Sequence, residues 1–365
     1  MPVCARWAGT VRLIWRFRLP IYVVLGLAAV DAAVASQRSV WRRYDPDDYL
    51  ERVRACRREP RDLVVIGGSP VSEGIDPAIL AGLQANGVTL ANAFNLGLPG
   101  GTVAEFWHAL ERGLARPPRL IVYGITASDL NDSRNEPHGP YSLMDFEDVA
   151  AWVAARPQSA EWVIRHYTRG RLSRLWQLYR YRNAIRFWAT DCVESICPGF
   201  APQAAGEMRA YRAYAEAMRR GDGFAPNPGF RDRRLDLLKA AGVRCDGFAY
   251  LDRFRMGEHL VYFRRIVDWA TGAGVPLVLV DMPVTAELDE GLHTDAFAQY
   301  RAWLARTESE LGLRVLRADR RAVGLSDAEF ADFIHLNGAG ALRLSAWLRG
   351  QLDESLHSVR AEVQP

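Results

Sequence analysis

Apolar residues in this chain come in short continuous runs separated by helical stretches. Asp62-Leu63-Val64-Val65-Ile66 ends at Gly67-Gly68 and reads as a buried strand. Residues 88–94 read as a second strand, closing at Asn95-Leu96-Gly97, and residues 103–114 as a helix. Leu120-Ile121-Val122-Tyr123, ending at Gly124, is a third strand. Residues 275–280 form a fourth and residues 313–316 a short fifth. Helical segments cover residues 258–271 and 293–311. A last helix starts near Gly338, with Ala341, Leu344 and Leu348 on one face. Strands alternating with helices predict an α/β fold with a parallel, doubly wound sheet covered on both faces. Such a sheet carries its site at the carboxyl ends of the strands. The glycine clusters at 67–68, 97–101 and 124 all fall there.

Two segments break the alternation. Residues 132–257, between the third and fourth strands, read as a large helical insertion, with a loop at 221–229. Leu172, Leu175, Trp176 and Tyr179 follow helical spacing as an apolar stripe. Arg165, Arg169, Arg171, Arg174, Arg180 and Arg182 crowd the same region. They meet an anionic polymer or lipid headgroups on one reading, and form a solvated face on the other, which is the expectation for any single arginine. The second segment is residues 19–35, almost wholly apolar. Seventeen residues of helix reach about 25 Å, just short of a bilayer core of ~30 Å. Trp15 and Tyr22 suit the interface. Asp31 is costly in hydrocarbon but lies near the outer end.

Charge sharpens that reading. The chain has 365 residues and a formal charge of +3. Residues 1–18 hold Arg6, Arg12, Arg16 and Arg18 and no acid, which makes +4 and leaves the other 347 residues at −1. A neutral body argues against a nucleic-acid partner, which needs a basic face. A basic arm before an apolar run predicts a cytoplasmic N-terminus, with everything after the run outside. The expected layout is a basic arm at 1–18, a transmembrane anchor at 19–36, a charged connector at 37–60 including Asp45-Pro46-Asp47-Asp48, and an α/β domain over 61–355. A signal peptide cleaved after Ala33-Val34-Ala35 is the competing exported reading, and a buried N-terminal helix of a cytosolic protein the plain one. Cys192 and Cys197 form a local disulfide in an oxidising space or remain buried thiols. No histidine accompanies them at metal-ligand spacing, and neither a metal nor a cofactor is expected.

The candidate chemistry sits at strand ends. Ser69 follows Gly67-Gly68, where a sharp turn projects its oxygen into the crevice. A serine needs a base, and His335 in Asp332-Phe333-Ile334-His335-Leu336-Asn337 is the best in the chain. Asp332, three residues earlier, can hold the imidazole tautomer. Alone, that motif also reads as a helix cap built on Asn337. Backbone N–H groups of Ser69 and Gly97 are the natural oxyanion donors. Ser72 is a rival nucleophile further from the turn. His108, inside a helix, reads as structural, and His138 and His166 have no obvious partner. Asp129 and Asp132 form an acid–base pair or a helix start.

These blocks resemble the SGNH (GDSL-like) hydrolases, a superfamily of esterases, lipases, carbohydrate O-deacetylases and some acyltransferases. The similarity covers Val65-Ile66-Gly67-Gly68-Ser69 with Gly74-Ile75-Asp76-Pro77, then Asn95-Leu96-Gly97, then Asp332 to His335. Val280-Asp281-Met282-Pro283 is similar to membrane-anchored members that modify envelope or extracellular polysaccharides. The resemblance implies a flavodoxin-like three-layer α/β/α sandwich. It implies an extracytoplasmic esterase or acyltransferase with Ser69, His335 and Asp332 as triad, acting on an acylated carbohydrate or other ester, with envelope complex partners. The chain departs from the family at two places. Gly68 stands where much of the family has Asp. The third block, usually Gly-x-Asn-Asp, here runs from Gly124 to Asp132, so its oxyanion donor is Thr126 by position or Asn131 by identity, with a slight preference for Asn131. The other functions in view are a non-catalytic glycan-binding envelope protein and a lipase or thioesterase on lipid-linked substrates.

Overall fold

The computed structural model describes residues 3–41, 44, 49–85, 87–133, 146–155, 160–200, 206, 208–209, 212, 221–227, 229–244 and 246–363. His138 and the stretch 45–48 lie outside them, as do the side chains of residues 3–19, His166 and Arg174.

Five strands form one parallel sheet: β1 (Leu63–Ile66), β4 (Ala93–Asn95), β5 (Leu120–Ile125), β6 (Leu277–Asp281) and β7 (Arg314–Arg317), in the order β4-β1-β5-β6-β7. β1 and β5 are buried at every position, as their unbroken apolar sequence requires of strands covered on both faces. Counted within this sheet alone, the order is 2-1-3-4-5, a doubly wound order whose switch point falls between β1 and β5. Ser69 follows one of these strands and Thr126 the other.

The run 88–94 is not a single strand. It splits into β3 (Val88–Leu90), which pairs antiparallel with β2 (Leu83–Ala85), and β4 in the main sheet. The break comes from a side chain outside the run. The Asp62 carboxylate accepts the N–H groups of Ala91 and Asn92, both at 3.1 Å, and turns the chain between the two strands. The outer edge of β4 is closed in turn by the insertion, where Asn95 N–H donates to the Asp222 carbonyl at 2.7 Å. An unpaired parallel edge would otherwise face solvent.

The longer helices outside the insertion, together with the short one that starts at Ser69, are α1 (Val3–Ser36), α2 (Tyr49–Arg57), α3 (Ser69–Gly74), α4 (Val103–Gly113), α5 (Glu258–Gly272), α6 (Thr294–Leu311) and α7 (Gly338–Val363). α4 starts where Glu105 reaches back to accept the Thr102 N–H at 2.6 Å, satisfying a donor that the first turn leaves open. The stretch 37–60 is more than a connector. α2 buries Tyr49, Arg52, Val53 and Cys56 against the core.

The insertion is helical, with helices Phe146–Ala155, Ala160–Leu175, Gln177–Arg180 and Arg182–Ile196. Its two ends are clamped together. The Asp132 carboxylate accepts the N–H groups of Glu258 and His259 at 3.0 and 3.2 Å, capping α5 at its positive end. Asn131 Oδ1 accepts from Arg255 N–H at 3.2 Å. Cys192 and Cys197 are free thiols. Cys197 caps the helix that holds Cys192, and the five residue steps between them rise about 7.5 Å, more than the ~7 Å that a disulfide can bridge.

The expected span lies within α1, a continuous helix through Pro20. Among the described residues, no helix is long and apolar enough to cross a membrane. Side chains of α1 are described from Pro20 onward, and residues 21–30 are exposed.

Candidate active site

The turn after β1 is built for close approach. Gly67 has φ +147°, and a Cβ there would meet the Gly124 carbonyl oxygen at 2.4 Å and Val71 at 2.5 Å. Only glycine allows the two strand ends to come so near. Gly68 precedes Ser69 as the N-cap of α3, so Ser69 opens the helix. A residue in that position has no acceptor for its N–H within the helix.

From the far end of the chain comes a tight hairpin. Phe330 pairs with Leu336 as an isolated bridge, and Ala331 N–H donates to the His335 carbonyl at 2.8 Å. This folds Asp332 back onto His335. Asp332 Oδ1 accepts the backbone N–H of Ile334 at 3.0 Å and of His335 at 2.9 Å. His335 Nδ1 lies 2.8 Å from Asp332 Oδ2, and His335 Nε2 lies 2.8 Å from Ser69 Oγ. Ser69, His335 and Asp332 therefore form one continuous hydrogen-bonded chain. Burial pushes the Asp332 carboxyl up, but the hydrogen bond and charge of His335 and the two backbone donors outweigh it and hold the group below its ordinary value. Asp332 thus stays an anion that favours Nδ1–H, which leaves Nε2 as the acceptor facing Ser69. Asn337 also caps α7, its Oδ1 accepting Gly340 N–H at 3.0 Å. The motif thus supplies both the Asp332–His335 contact and, through Asn337, the cap of α7.

The expected oxyanion donors are placed differently. Gly97 N–H donates to Asn95 Oδ1 at 2.8 Å, and the Gly97 carbonyl accepts from Arg52. A Cβ on Gly97 would meet Ser72 N at 2.7 Å, so this glycine block is pressed against α3. Asn95 completes the joint by donating to the carbonyls of Val71 and Ile75 at 2.9 and 2.7 Å. Thr126 donates both its N–H and its hydroxyl to Asp129 Oδ2, at 2.8 and 2.9 Å. Asn131 is fully buried, with its Oδ1 at the base of the insertion. Ser69 N–H stands in the first turn of α3, which supplies it no acceptor, whereas Gly97 N–H and the Thr126 hydroxyl are committed to Asn95 and Asp129. The rival nucleophile Ser72 is fully buried and accepts from Arg52 at 2.8 Å. His108 pairs at 2.8 Å with Asp148 of the insertion. Asp129 and Asp132 are separate caps, not an acid–base pair.

Three neighbours escaped the sequence reading, and a fourth was read there only as half of an acid–base pair or as a helix start. Phe230, from the end of the insertion, stacks on the His335 ring at 4.9 Å and 22°. Arg52 joins α2 to the glycine block. Glu73, one helical turn after Ser69, is buried, its Oε1 accepts from Asn227 at 3.4 Å, and its Oε2 has no partner. Burial pushes the Glu73 carboxyl up to about 7 against the charge of His335, the Asn227 hydrogen bond and the charge of Arg52, with Asp332 adding to the rise. The i, i+4 spacing of Ser69 and Glu73 was the one visible signal for it. The fourth is Asp129. A Cβ on Gly68 would lie 3.2 Å from Asp129 Oδ1, so a carboxylate from the short helix after β5 stands beside the turn that carries Ser69.

Among the described residues, no group of three or more His, Cys, Asp or Glu side chains is arranged to hold a metal ion. The chain matches no known family model and no curated protein sequence.

Proposed function

We propose that this chain is an extracytoplasmic serine ester hydrolase or acyltransferase of SGNH type, removing or transferring an O-acyl group on a carbohydrate. The observation that carries the reading is the chain from Ser69 Oγ through both nitrogens of His335 to Asp332, at 2.8 Å per step. The strand order, that of a flavodoxin-like sandwich, sets this chain at the switch point. His335 Nε2 takes the Ser69 proton as Oγ attacks the ester carbonyl. Ser69 N–H donates to the oxyanion. When the tetrahedral intermediate collapses, the ester C–O bond breaks and the alcohol leaves with the proton from His335. Water or a sugar hydroxyl then gives its proton to His335, attacks the acyl-serine and restores Ser69.

Although no described helix is long and apolar enough by itself to cross a membrane, the exposed apolar side chains of α1 and the arginines of residues 1–18 support our reading of α1 as an anchor that leaves the domain outside the cytoplasm. A second reading, a glycan-binding accessory of an envelope complex with little turnover, draws on the committed Gly97 and Thr126 donors, since losing one oxyanion donor costs roughly 10²–10³ in turnover.

A fluorophosphonate probe separates the two. The enzyme is labelled at Ser69, and Ser69→Ala abolishes both labelling and acyl release. A folded wild-type chain that stays unlabelled supports the binder. Acyl release that survives intact in Ser69→Ala overturns the mechanism.

A further inference from the structure

α1 meets the insertion over a short stretch. Its Asp31 carboxylate accepts the N–H of Leu178 at 2.6 Å, in the first turn of the helix Gln177–Arg180. Val34, a turn further along α1, is buried with Tyr44, Tyr181 and Ala184. Before Asp31 the side chains of residues 21–30 are exposed, and Ile21, Val23, Val24, Leu25, Leu27 and Val30 are all large and apolar. The boundary between a bare apolar helix and a packed one therefore falls at Asp31. The insertion residues that meet that boundary are Leu178, Tyr181 and Ala184, and residues 172–177 lead directly into them.

The segment 172–182 has a surface unlike a water-facing helix. Leu175 is 80% exposed, and Leu172 and Trp176 are also exposed. Trp176 stacks on Tyr179 at 6.0 Å, and the Arg182 guanidinium lies over the Tyr179 ring at 4.4 Å. Indole, phenol and guanidinium groups around exposed leucines match the headgroup layer of a bilayer, apolar on one side and anionic on the other. We propose that residues 172–182 sit in the headgroup layer of the membrane that holds α1, with Leu172, Leu175 and Trp176 toward the acyl chains and Arg182 toward lipid phosphate. This rests on the reading of α1 as an anchor. It accounts for Asp31, whose carboxylate takes a backbone N–H at the water boundary and does not face hydrocarbon. It also orients the catalytic crevice. Arg180 of the same segment lies 3.9 Å from Glu51, whose neighbour Arg52 grips the glycine block beside Ser69.

The test uses the full chain in vesicles of phosphatidylcholine and phosphatidylglycerol. Nitroxides are attached through Leu175→Cys, Leu25→Cys and, as a control on an exposed leucine elsewhere, Leu237→Cys, in a background lacking the native cysteines. Collision with oxygen and with a water-soluble nickel complex is measured by spin resonance. The proposal expects several-fold less nickel access at 175 than at 237, and the deepest protection at 25. Position 175 as water-exposed as 237, with 25 protected, overturns the seating while leaving the anchor. Position 25 water-exposed overturns the anchor as well. If the cysteine-free background does not fold, the native chain and Trp176→Phe are compared in vesicles with headgroup-level nitroxide lipid. The fluorescence that the variant lacks is the quenched share on this proposal, and an unquenched share overturns it.

Discussion

Gly68 tests how the crevice is built. Its backbone, at φ −82° and ψ −160°, lies in the extended region open to any residue, so conformation does not forbid the aspartate that SGNH-like chains often carry before the nucleophile. The obstacle to Gly68→Asp is Asp129. With the new Cβ 3.2 Å from Asp129 Oδ1, two carboxylates are brought to roughly 4 Å, where like charges repel by about 4 kcal/mol at an effective dielectric of ~20. Taking up a proton offers no cheaper route, because keeping a carboxyl with an ordinary pKa of ~3.9 neutral at pH 7 also costs about 4 kcal/mol. Rotation of the side chain toward solvent lowers the figure, and a loss of about 2–4 kcal/mol at pH 7 is expected. The introduced group has a raised folded-state pKa. Its penalty is complete above that pKa, shrinks as the pH falls through it, and vanishes below about 4, where the unfolded chain is protonated as well. Urea unfolding at pH 7 and at pH 4.5 measures the difference. Adding Asp129→Asn keeps an oxygen to accept from Thr126, removes the charge, and should restore most of the loss. A Gly68→Asp chain within about 0.5 kcal/mol of the parent at pH 7, or one that Asp129→Asn does not rescue, refutes the reasoning.

Three further outcomes follow from the site. Glu73 is buried with its carboxyl raised from 4.5 to about 7, so the folded chain holds the extra proton between those values and stability falls by about 3 kcal/mol as the pH rises through that window. Glu73→Gln should flatten this part of a plot of urea midpoint against pH, and an unchanged slope would show that the group is not the source. Phe230→Ala removes the ring stacked on His335, an interaction of about 0.5–1.5 kcal/mol. It should slow fluorophosphonate labelling and kcat roughly threefold to tenfold with KM little changed, and Phe230→Tyr should recover the rate. Asp332→Asn leaves the hairpin in place but loses the tautomer control, and kcat should drop by about 10⁴. A loss of tenfold or less would put the base elsewhere.

The two buried strands β1 and β5 were legible from sequence because every position faces apolar cover, and that burial is written as an unbroken apolar run. The same reading singled out Ser69, although a serine after paired glycines is by itself a weak signal that also fits a plain turn, and gained weight only with the Asp332 to His335 block. It failed at residues 88–94, where the pattern is strand-like but the Asp62 side chain breaks it from outside. It also took residues 37–60 for a connector, because α2 is rich in charge. Of its three arginines, Arg52 is buried because the Gly97 carbonyl and Ser72 accept from it. The triad shows the division most plainly. Residue types and their order were readable, but the 2.8 Å contact joins groups 266 residues apart. Gly97, Thr126 and Asn131 have the right chemistry for an oxyanion hole, yet Asn95 and Asp129 oxygens take the hydrogens of Gly97 and Thr126, and Asn131 is buried with its Oδ1 accepting from Ser133 and Arg255. A sequence states which donors a chain owns. Which of them remain free is decided by the acceptors that folding brings beside them.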